Sequence, residues 1–332
     1  MTTVAAIIPT YNDAHRAARA VESVLQQTRL PDEIIVVDDG SAEDARPRFA
    51  HFGPRVRCLR QTNGGLSAAR NAGIEATRAD FVAFLDADDL WMPDKTELQL
   101  RQFEEHPEYG FSFTDLEVRD EESGRASRWF DRKQHTAEGW ILRPLYEEVF
   151  ILPSTVMVRQ AALAEVGLFD PRLRHAGDYD LWLRLALEYP AGCLRKPLVI
   201  RRVGRDNMSR DWLVDLFDRL DILRKLGASH PPETFPAPDY LVRTRARMHR
   251  SIGYLLLRRG DPARARSHYL SSLRLQWQPE LLPRIAALFV LPRGLVRRWK
   301  GSDTGAAEGL GADTSHHPPS PSARDPAPRP GA

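Results

Sequence analysis

The first part of the chain alternates short apolar runs with segments of helical periodicity. Residues 3–8, 33–37 and 80–85 are near-continuous apolar runs, which are typical of strands buried on both faces of a parallel sheet. Between the first two runs, apolar residues recur every three or four positions over residues 17–25, which predicts a helix. Strands that alternate with helices in this way predict an α/β fold with an open, mostly parallel sheet.

We also predict a weaker strand at residues 56–59 and a helix at residues 66–76. After about residue 110 the pattern becomes more mixed, and we predict strands at residues 111–118, 154–158 and, as an edge strand, 198–203, and a helix at residues 180–188. Residues 212–290 have helical periodicity throughout. Residues 301–332 are rich in Gly, Ala, Pro, Ser and Asp and are predicted to be disordered.

Polar residues follow each of the three strongest strand predictions. The segments are residues 9–12 (PTYN), 38–41 (DDGS) and 86–89 (DADD). Ligands of open α/β sheets bind beyond the carboxyl ends of the strands. Polar residues gathered at one edge are hard to explain by packing, so we predict the functional site there.

Asp86 and Asp88 lie two residues apart at a strand end, so their side chains can point the same way. Converging carboxylates repel each other unless a cation lies between them, and oxygen ligands suit Mg²⁺ or Mn²⁺. The alternative is that Asp88 or Asp89 only caps a helix that opens around Pro93.

Two other segments have both a binding and a structural interpretation. Asp38 and Asp39 could accept hydrogen bonds from a base or ribose, or could form an ordinary turn. Residues 63–73 resemble a helix that opens on glycine, whose free N–H groups favour an anion, and Arg70 could reach a phosphate. The alternative is a loop with a solvent-facing arginine. The first strand is not followed by G-x-G-x-x-G, and the sequence has no Walker A segment.

Asp178 precedes a predicted helix whose apolar residues include Leu181 and Trp182. It could cap that helix, which typically contributes ~1 kcal/mol. A carboxylate at the mouth of a pocket could also act as a general base, with an effect of roughly 10²–10⁴ on rate. Spacing leaves both roles open.

Composition narrows the class of protein. The 332 residues carry a formal net charge of +2, and their arginines are not interleaved with aromatic residues, so we expect no nucleic-acid partner. Cys58 and Cys193 fit neither a disulfide framework nor a metal site, which favours a reducing cytoplasm. The apolar run at residues 4–8 is too short for a signal peptide, and no stretch reaches the roughly 18 apolar residues of a spanning helix.

The C-terminal part offers two more features. Residues 251–272 predict a helical hairpin around a Gly-Asp-Pro turn, similar to one tetratricopeptide unit; a helical extension packed on the main domain is the favoured alternative. Residues 281–300 join an apolar segment to several arginines, as in helices that lie in a membrane interface. Ordinary packing competes with that peripheral membrane contact.

Together these segments resemble the family-2 glycosyltransferases, which have the GT-A fold. The resemblance spans residues 3–210 and rests on residues 6–12 (AIIPTYN), 35–41 (IVVDDGS), 63–73 (NGGLSAARNAG), 84–91 (FLDADDLW), 166–170 (VGLFD) and 177–184 (GDYDLWLR). It implies a GT-A catalytic domain over residues 1–210, with a nucleotide-sugar-binding half at 1–110 and an acceptor-binding half at 111–210. Residues 211–300 would then form a helical C-terminal module.

The resemblance also implies roles for single residues. The donor would be bound by Pro9, Thr10, Tyr11, Asp38, Asp39, Gly65, Arg70, Asp86 and Ala87. Asp86 and Asp88 would hold Mn²⁺ or Mg²⁺, with Asp88 the more direct ligand. Asp178 would be the catalytic base that deprotonates an acceptor hydroxyl, and Trp182 and Arg184 would lie on the acceptor side.

The implied activity is inverting transfer of a sugar from a nucleotide-diphosphate sugar to a hydroxyl of a glycan, a lipid-linked saccharide or another envelope acceptor. Nucleotidyl transfer and a non-catalytic nucleotide-sugar- or protein-binding module are the alternatives. Two departures stand out: Gly177 replaces a glutamate common in the family, and residues 203–205 lack a histidine that often ligates metal or phosphate.

Overall fold

The computed structural model describes residues 2–133, 136–173, 175–203, 212–231, 234 and 238–290. Its strands are β1 (Val4–Thr10), β2 (Glu33–Asp38), β3 (Val56–Arg60), β4 (Phe81–Phe84), β5 (Asp89–Trp91), β6 (Phe111–Asp120), β7 (Ala126–Arg128), β8 (Met157–Arg159) and β9 (Ala191–Val203). The α-helices are α1 (Ala14–Leu25), α2 (Arg46–Phe49), α3 (Leu66–Glu75), α4 (Lys95–Glu105), α5 (Leu142–Glu147), α6 (Gln160–Val166), α7 (Gly177–Glu188), α8 (Trp212–Ser229), α9 (Pro238–Arg258), α10 (Pro262–Leu275) and α11 (Leu282–Val290). The predicted α/β class is confirmed.

A single mixed sheet runs through the domain in the order β3-β2-β1-β4-β8-β6-β9-β5, with β7 paired to β6. The strands β1 to β4 are parallel to one another, whereas β8 runs antiparallel to both of its neighbours. The sheet continues across residues 110 and 111, where we placed the boundary between the two halves of the catalytic domain. That boundary remains a prediction.

Alternation along the strands builds a core on each face of the sheet. In β1, Ala6 and Ile8 pack into the cluster formed with α1, whereas Ile7 packs into the cluster formed with α7. Phe84 of β4 belongs to the second cluster and Ala83 to the first. Both faces are covered, so these strands are apolar throughout, as the sequence indicated.

The helical C-terminal part packs on the sheet domain. Its apolar residues, among them Leu223 and Ile252, belong to the same buried cluster as Phe84. The Arg247 guanidinium donates to the carbonyl of Glu147, 2.7 Å away, at the end of α5. Asp261 caps α10 by accepting from the Arg264 amide, which makes the Gly-Asp-Pro segment the predicted turn of a hairpin. The tail at residues 301–332 lies outside the described residues.

Some local predictions are wrong. The strand at the end of the domain is not an edge strand, because β9 lies between β6 and β5. Thr10 ends β1 rather than opening a loop, since it pairs in register with Asp38. Asp89 starts β5 and Asp94 precedes α4, so neither Asp88 nor Asp89 caps that helix.

Candidate functional site

The strand register brings the three polar segments to one edge of the sheet. Thr10 of β1 lies beside Asp38 of β2, and Ile7 lies beside Phe84 of β4. Two further bonds extend the ladder past the strand ends: the Asp39 amide donates to the Thr10 carbonyl (2.9 Å) and the Leu85 amide to the Ile7 carbonyl (3.0 Å). Residues 9–12, 38–41 and 86–89 therefore meet, as the sequence predicted.

Asp39 holds the glycine turn that opens α3. Its Oδ1 accepts from the Gln61 side-chain amide (2.7 Å) and the Gly64 N–H (2.9 Å), and its Oδ2 accepts from the Gly65 N–H (2.8 Å). Gly65, predicted to bind the donor, has a φ of 86° that glycine tolerates and others rarely adopt. The Asp39 carboxylate thus fixes the turn that aims α3 at the site.

The Asp38 carboxylate also accepts hydrogen bonds from the backbone of a loop. It is fully buried, and its two oxygens accept from the amides of Ser41 (2.9 Å) and Ala45 (3.3 Å). Arg60 lies 3.4 Å from the same carboxylate. Asp38 therefore closes the loop after β2, which is the turn interpretation of this residue.

The segment after β1 has a buried and an exposed part. Pro9 and Thr10 are buried, and the Thr10 hydroxyl has no hydrogen-bond partner among the described atoms. Tyr11 is 54% exposed and lies next to Asn12, whose φ is 54°. The Tyr11 ring is thus accessible to a nucleotide base. The Thr10 hydroxyl is buried next to it and has no hydrogen-bond partner among the described atoms.

Asp86 and Asp88 lie in the turn between β4 and β5. The Arg70 guanidinium, which is 3% exposed, contacts the Asp86 carboxylate at 2.5 Å and lies 5.4 Å from the centre of the Phe169 ring. Arg70 is therefore turned inward, and the solvent-facing alternative is wrong. Burial and the neighbouring Asp86 charge raise the pKa of Asp88.

Asp89 is the third acid of this turn, and it is buried. Burial, followed by repulsion from Asp86 and Asp88, raises its pKa to about 8. The Ser154 hydroxyl donates to Asp89 Oδ2 at 2.5 Å, while Oδ1 has no partner among the described atoms.

The donor set fits a hard divalent cation that completes its shell with substrate oxygens. Within the described residues, no group of three or more His, Cys, Asp or Glu side chains is arranged to hold a metal by itself. Two carboxylates from the protein plus phosphate oxygens and water are, however, a usual shell for Mg²⁺. The pKa values of Asp88 and Asp89 are raised first by burial and then by repulsion from the neighbouring carboxylates, and a bound cation would offset that repulsion.

Helix α3 also brings α7 to the site. The Asn71 side chain exchanges hydrogen bonds with the backbone of Phe169, at 2.9 and 3.0 Å. Gly177, the first residue of α7, lies so close to Ser67 that a Cβ on it would meet the Ser67 hydroxyl at 2.6 Å. A side chain at this position would have to displace the Ser67 hydroxyl, which favours glycine here. Asp178 follows it in the first turn of α7, partly exposed; Ala176 is the residue at the cap position.

Trp182 and Arg184 support α7, and their place on the acceptor side stays a prediction. Trp182 is fully buried and packs on the rings of Phe84, Phe111 and Phe169. The Arg184 guanidinium binds the Asp180 carboxylate (2.8 Å) and the carbonyls of residues 166–168 (2.6–3.0 Å). Both residues hold α7 against the segment that follows α6.

Three charged residues that the sequence did not single out line a small cleft with Asp88. They are Arg16 of α1, Glu121 after β6 and Arg202 of β9. They come from three distant parts of the chain, and no motif links them, so only the fold could reveal them. The region of residues 204–211, where the family histidine is absent, lies outside the described residues.

The sheet order and the polar edge are those of an α/β domain that binds its ligand beyond the carboxyl ends of the parallel strands. The family model for glycosyl transferase family 2 matches residues 5–167. The chain therefore carries a glycosyl transferase family 2 domain over those residues. The predicted resemblance to this family is confirmed.

Curated relatives point the same way. The chain is 33% identical over 207 residues to an uncharacterized glycosyltransferase of Rickettsia bellii, a match that covers 61% of this chain and 29% of that protein. It is 28% identical over 214 residues to the chondroitin synthase of Escherichia coli, covering 62% of this chain and 30% of that protein. The chain thus spans about a third of the length of the relatives it matches first.

Solved structures confirm the GT-A fold. The chain is similar to the S. aureus TarS 1–349 structure in complex with UDP-GlcNAc, with a TM-score of 0.65, 18% identity and coverage of 89% of this chain and 90% of that one. It is also similar to the mannosyltransferase PcManGT of Pyrobaculum calidifontis in complex with GDP-Man and Mn²⁺, with a TM-score of 0.57, 19% identity and coverage of 89% and 82%. At these identities the likeness concerns the fold.

Proposed function

We propose that the protein is an inverting glycosyltransferase. It moves a sugar from a nucleotide-diphosphate sugar to a hydroxyl of a glycan, a lipid-linked saccharide or another envelope acceptor. The observation that carries the proposal is the meeting of the Asp86 and Asp88 turn with α3 and the start of α7 at one sheet edge, in a family-2 domain. The UDP-GlcNAc and GDP-Man complexes of the structural neighbours support a nucleotide-sugar donor.

The donor half of the site would work through a small number of groups. Tyr11 stacks against the base, and the Thr10 hydroxyl hydrogen-bonds the donor. The N–H groups at the start of α3 and the Arg70 guanidinium face the diphosphate. Asp38 and Asp39 contribute by shaping the loops around the base and ribose, since their oxygens already accept loop donors.

Asp86 and Asp88 would hold a Mn²⁺ or Mg²⁺ ion. The ion supplies neutralisation of the charge that develops on the diphosphate leaving group. Arg70 shares that task, because its guanidinium already lies against Asp86. The Mn²⁺ in the PcManGT complex supports this assignment.

Asp178 would be the general base. Its position in the first turn of α7 holds the carboxylate partly exposed, next to the α3 N-terminus. From there it would take the proton of the acceptor hydroxyl as that oxygen attacks the anomeric carbon, with inversion.

A donor screen tests the proposal. The protein is incubated with Mn²⁺ and a panel of nucleotide sugars, and both donor hydrolysis and the rise of melting temperature are measured. We expect one nucleotide to stabilise the protein and its sugar to be released slowly. If no nucleoside diphosphate stabilises the protein, the transferase proposal fails. A released nucleoside monophosphate in place of the diphosphate would favour nucleotidyl transfer instead.

The proposal places the enzyme in the cytoplasm, in peripheral contact with the membrane through residues 281–300. No helix among the described residues is long and apolar enough to cross a membrane. Helix α11 buries Ile285 and Leu288, whereas Leu282 (43%) and Phe289 (61%) are exposed. Arginines at 293, 297 and 298 follow in the sequence, which suits anionic lipid.

Vesicle sedimentation tests the contact. We expect the protein to bind vesicles with anionic phosphatidylglycerol, to bind zwitterionic vesicles much less, and to lose binding in a Phe289→Ser variant. Equal recovery of wild type and variant with anionic vesicles would exclude the α11 face.

A further inference from the structure

A buried serine from a distant segment of the chain binds the turn that carries Asp86 and Asp88. Ser154 lies in the short 3₁₀ helix Pro153–Thr155 and is fully buried. Its hydroxyl accepts from the Asp86 amide at 3.0 Å and donates to the Asp89 carboxylate at 2.5 Å. One hydroxyl therefore joins both ends of the four-residue acidic turn.

A second contact comes from the same residue. The Trp91 indole N–H donates to the Ser154 carbonyl at 2.9 Å. The Trp91 ring is itself fixed by the Lys95 ammonium group, which lies 4.2 Å from the ring centre and donates to the Gln99 side chain. Gln99 in turn donates to the carbonyl of Thr155 at 3.1 Å. The 3₁₀ helix and the strand β5 are thus joined by a closed chain of buried contacts.

The turn needs this support because one of its three acids is buried. Asp89 is 4% exposed, and its Oδ1 already lacks a hydrogen-bond partner among the described atoms. Without the Ser154 hydroxyl, Asp89 would lose its hydrogen-bond donor, and the Asp86 amide would lose its acceptor. A buried polar group left in that way costs about 1–3 kcal/mol, so the turn would rearrange.

We propose that Ser154 is a positioning residue of the cation site: by holding Asp86 and Asp89 at once, its hydroxyl fixes the turn on which Asp86 and Asp88 present their carboxylates. This inference rests on the proposed function. Groups that orient metal ligands typically change metal affinity by 10–100-fold when they are removed. Ser154→Ala should therefore weaken Mn²⁺ binding about 10- to 100-fold, whereas Ser154→Thr, which keeps the hydroxyl, should recover most of it.

The matched control is another fully buried serine with two hydrogen bonds. Ser272 of α10 donates to the Ala246 carbonyl (2.7 Å) and accepts from the Gln278 side chain (3.0 Å), in the helical module. Ser272→Ala should lower the melting temperature about as much as Ser154→Ala does, yet leave Mn²⁺ binding unchanged. Trp91→Phe removes the second contact to Ser154 and should weaken Mn²⁺ binding less than Ser154→Ala.

The measurement is Mn²⁺ affinity at saturating nucleoside diphosphate, followed by the electron paramagnetic resonance signal of free Mn²⁺ and by calorimetry, with UDP, GDP, ADP and CDP as probes. If wild type binds no Mn²⁺ with any of them, the proposed metal site itself fails. If wild type binds and Ser154→Ala binds equally well, or Ser272→Ala is weakened as much, the positioning role is overturned and the proposed function stands. Should Ser154→Ala not fold, Trp91→Phe decides the point: it should weaken Mn²⁺ binding relative to wild type while Ser272→Ala does not, and an unchanged affinity in Trp91→Phe would overturn the positioning role.

Discussion

Replacement of Asp39 separates a structural carboxylate from a ligand-binding one. Its two oxygens receive three hydrogen bonds, from the Gln61 side chain and from the N–H groups of Gly64 and Gly65, and the residue is 4% exposed. If the carboxylate serves mainly to hold the glycine turn, Asp39→Ala should destabilise the protein even when no donor is present. If it serves mainly to bind a ribose or base, stability should stay constant while donor binding is lost.

The magnitude follows from those three bonds. A hydrogen bond to a charged group contributes about 1.5–3 kcal/mol. Gly64 and Gly65 are exposed residues, so their N–H groups regain water after truncation and the contributions do not add fully. We expect Asp39→Ala to lower the free energy of unfolding by about 3 kcal/mol. Asp39→Asn should lower it by about half as much, because the amide oxygen can still accept from Gln61 and Gly64 while the amide nitrogen opposes the Gly65 N–H.

Urea denaturation of the donor-free protein measures this change. Asp44, an exposed residue paired with Arg46 in the same loop, supplies the control, and Asp44→Ala should leave the urea midpoint unchanged. A loss below about 1 kcal/mol for Asp39→Ala would refute the reasoning, because three hydrogen bonds to a buried carboxylate could not then be its main task.

Three further variants probe other parts of the molecule. Asp178→Asn should retain donor binding in calorimetry and lower the transfer rate by roughly 10²–10⁴; equal loss of both would make Asp178 structural. Arg184→Lys, which cannot span the carboxylate and the three carbonyls that Arg184 binds, should lower the free energy of unfolding by about 2 kcal/mol in urea titration, and an unchanged midpoint would contradict that clamp. Burial, with the neighbouring His268, lowers the pKa of His249 to about 4, so the unfolded chain binds more protons between pH 4 and 6.5, and stability should fall by up to about 3 kcal/mol as pH falls through that window. His249→Gln should flatten that part of the stability–pH curve, and an unaltered slope would assign the pH dependence to other groups.

The strands of the sheet could be predicted from the sequence where both of their faces are buried. Strands β1, β2 and β4 are covered on both faces, so their sequences are continuously apolar and stop abruptly at polar residues. The same abrupt ends located the site. In contrast, the predicted strand at residues 154–158 begins with residues of a 3₁₀ helix, and β8 is only three residues long, because an interior strand of that length leaves too little pattern to define its bounds.

The task of each site residue was less predictable than its place. Trp182 and Arg184 belong to the same segment as Asp178, but helical geometry turns Trp182 into the core and Arg184 onto the carbonyls at and after the end of α6. Nothing in local sequence separates a side chain that faces the cleft from one that supports its wall. Ser154 and Arg202 come from segments far from the acidic turn, so their part in the site depends wholly on the sheet order.

The hydrogen-bond donors near each acid at this sheet edge determine whether that acid stabilises a loop or remains at the cleft. The loops after β2 and β3 present backbone N–H groups in close succession; those after β2 bind Asp38, and those after β3 bind Asp39. Asp89 takes the Ser154 hydroxyl and lies in the sheet. Asp86 keeps a side chain that is 29% exposed, opposite Arg70, and Asp88 faces a cleft with a raised pKa. The two carboxylates that flank Ala87 are therefore the acids of this edge that remain at the cleft, and the proposed function assigns the divalent cation and the diphosphate to them.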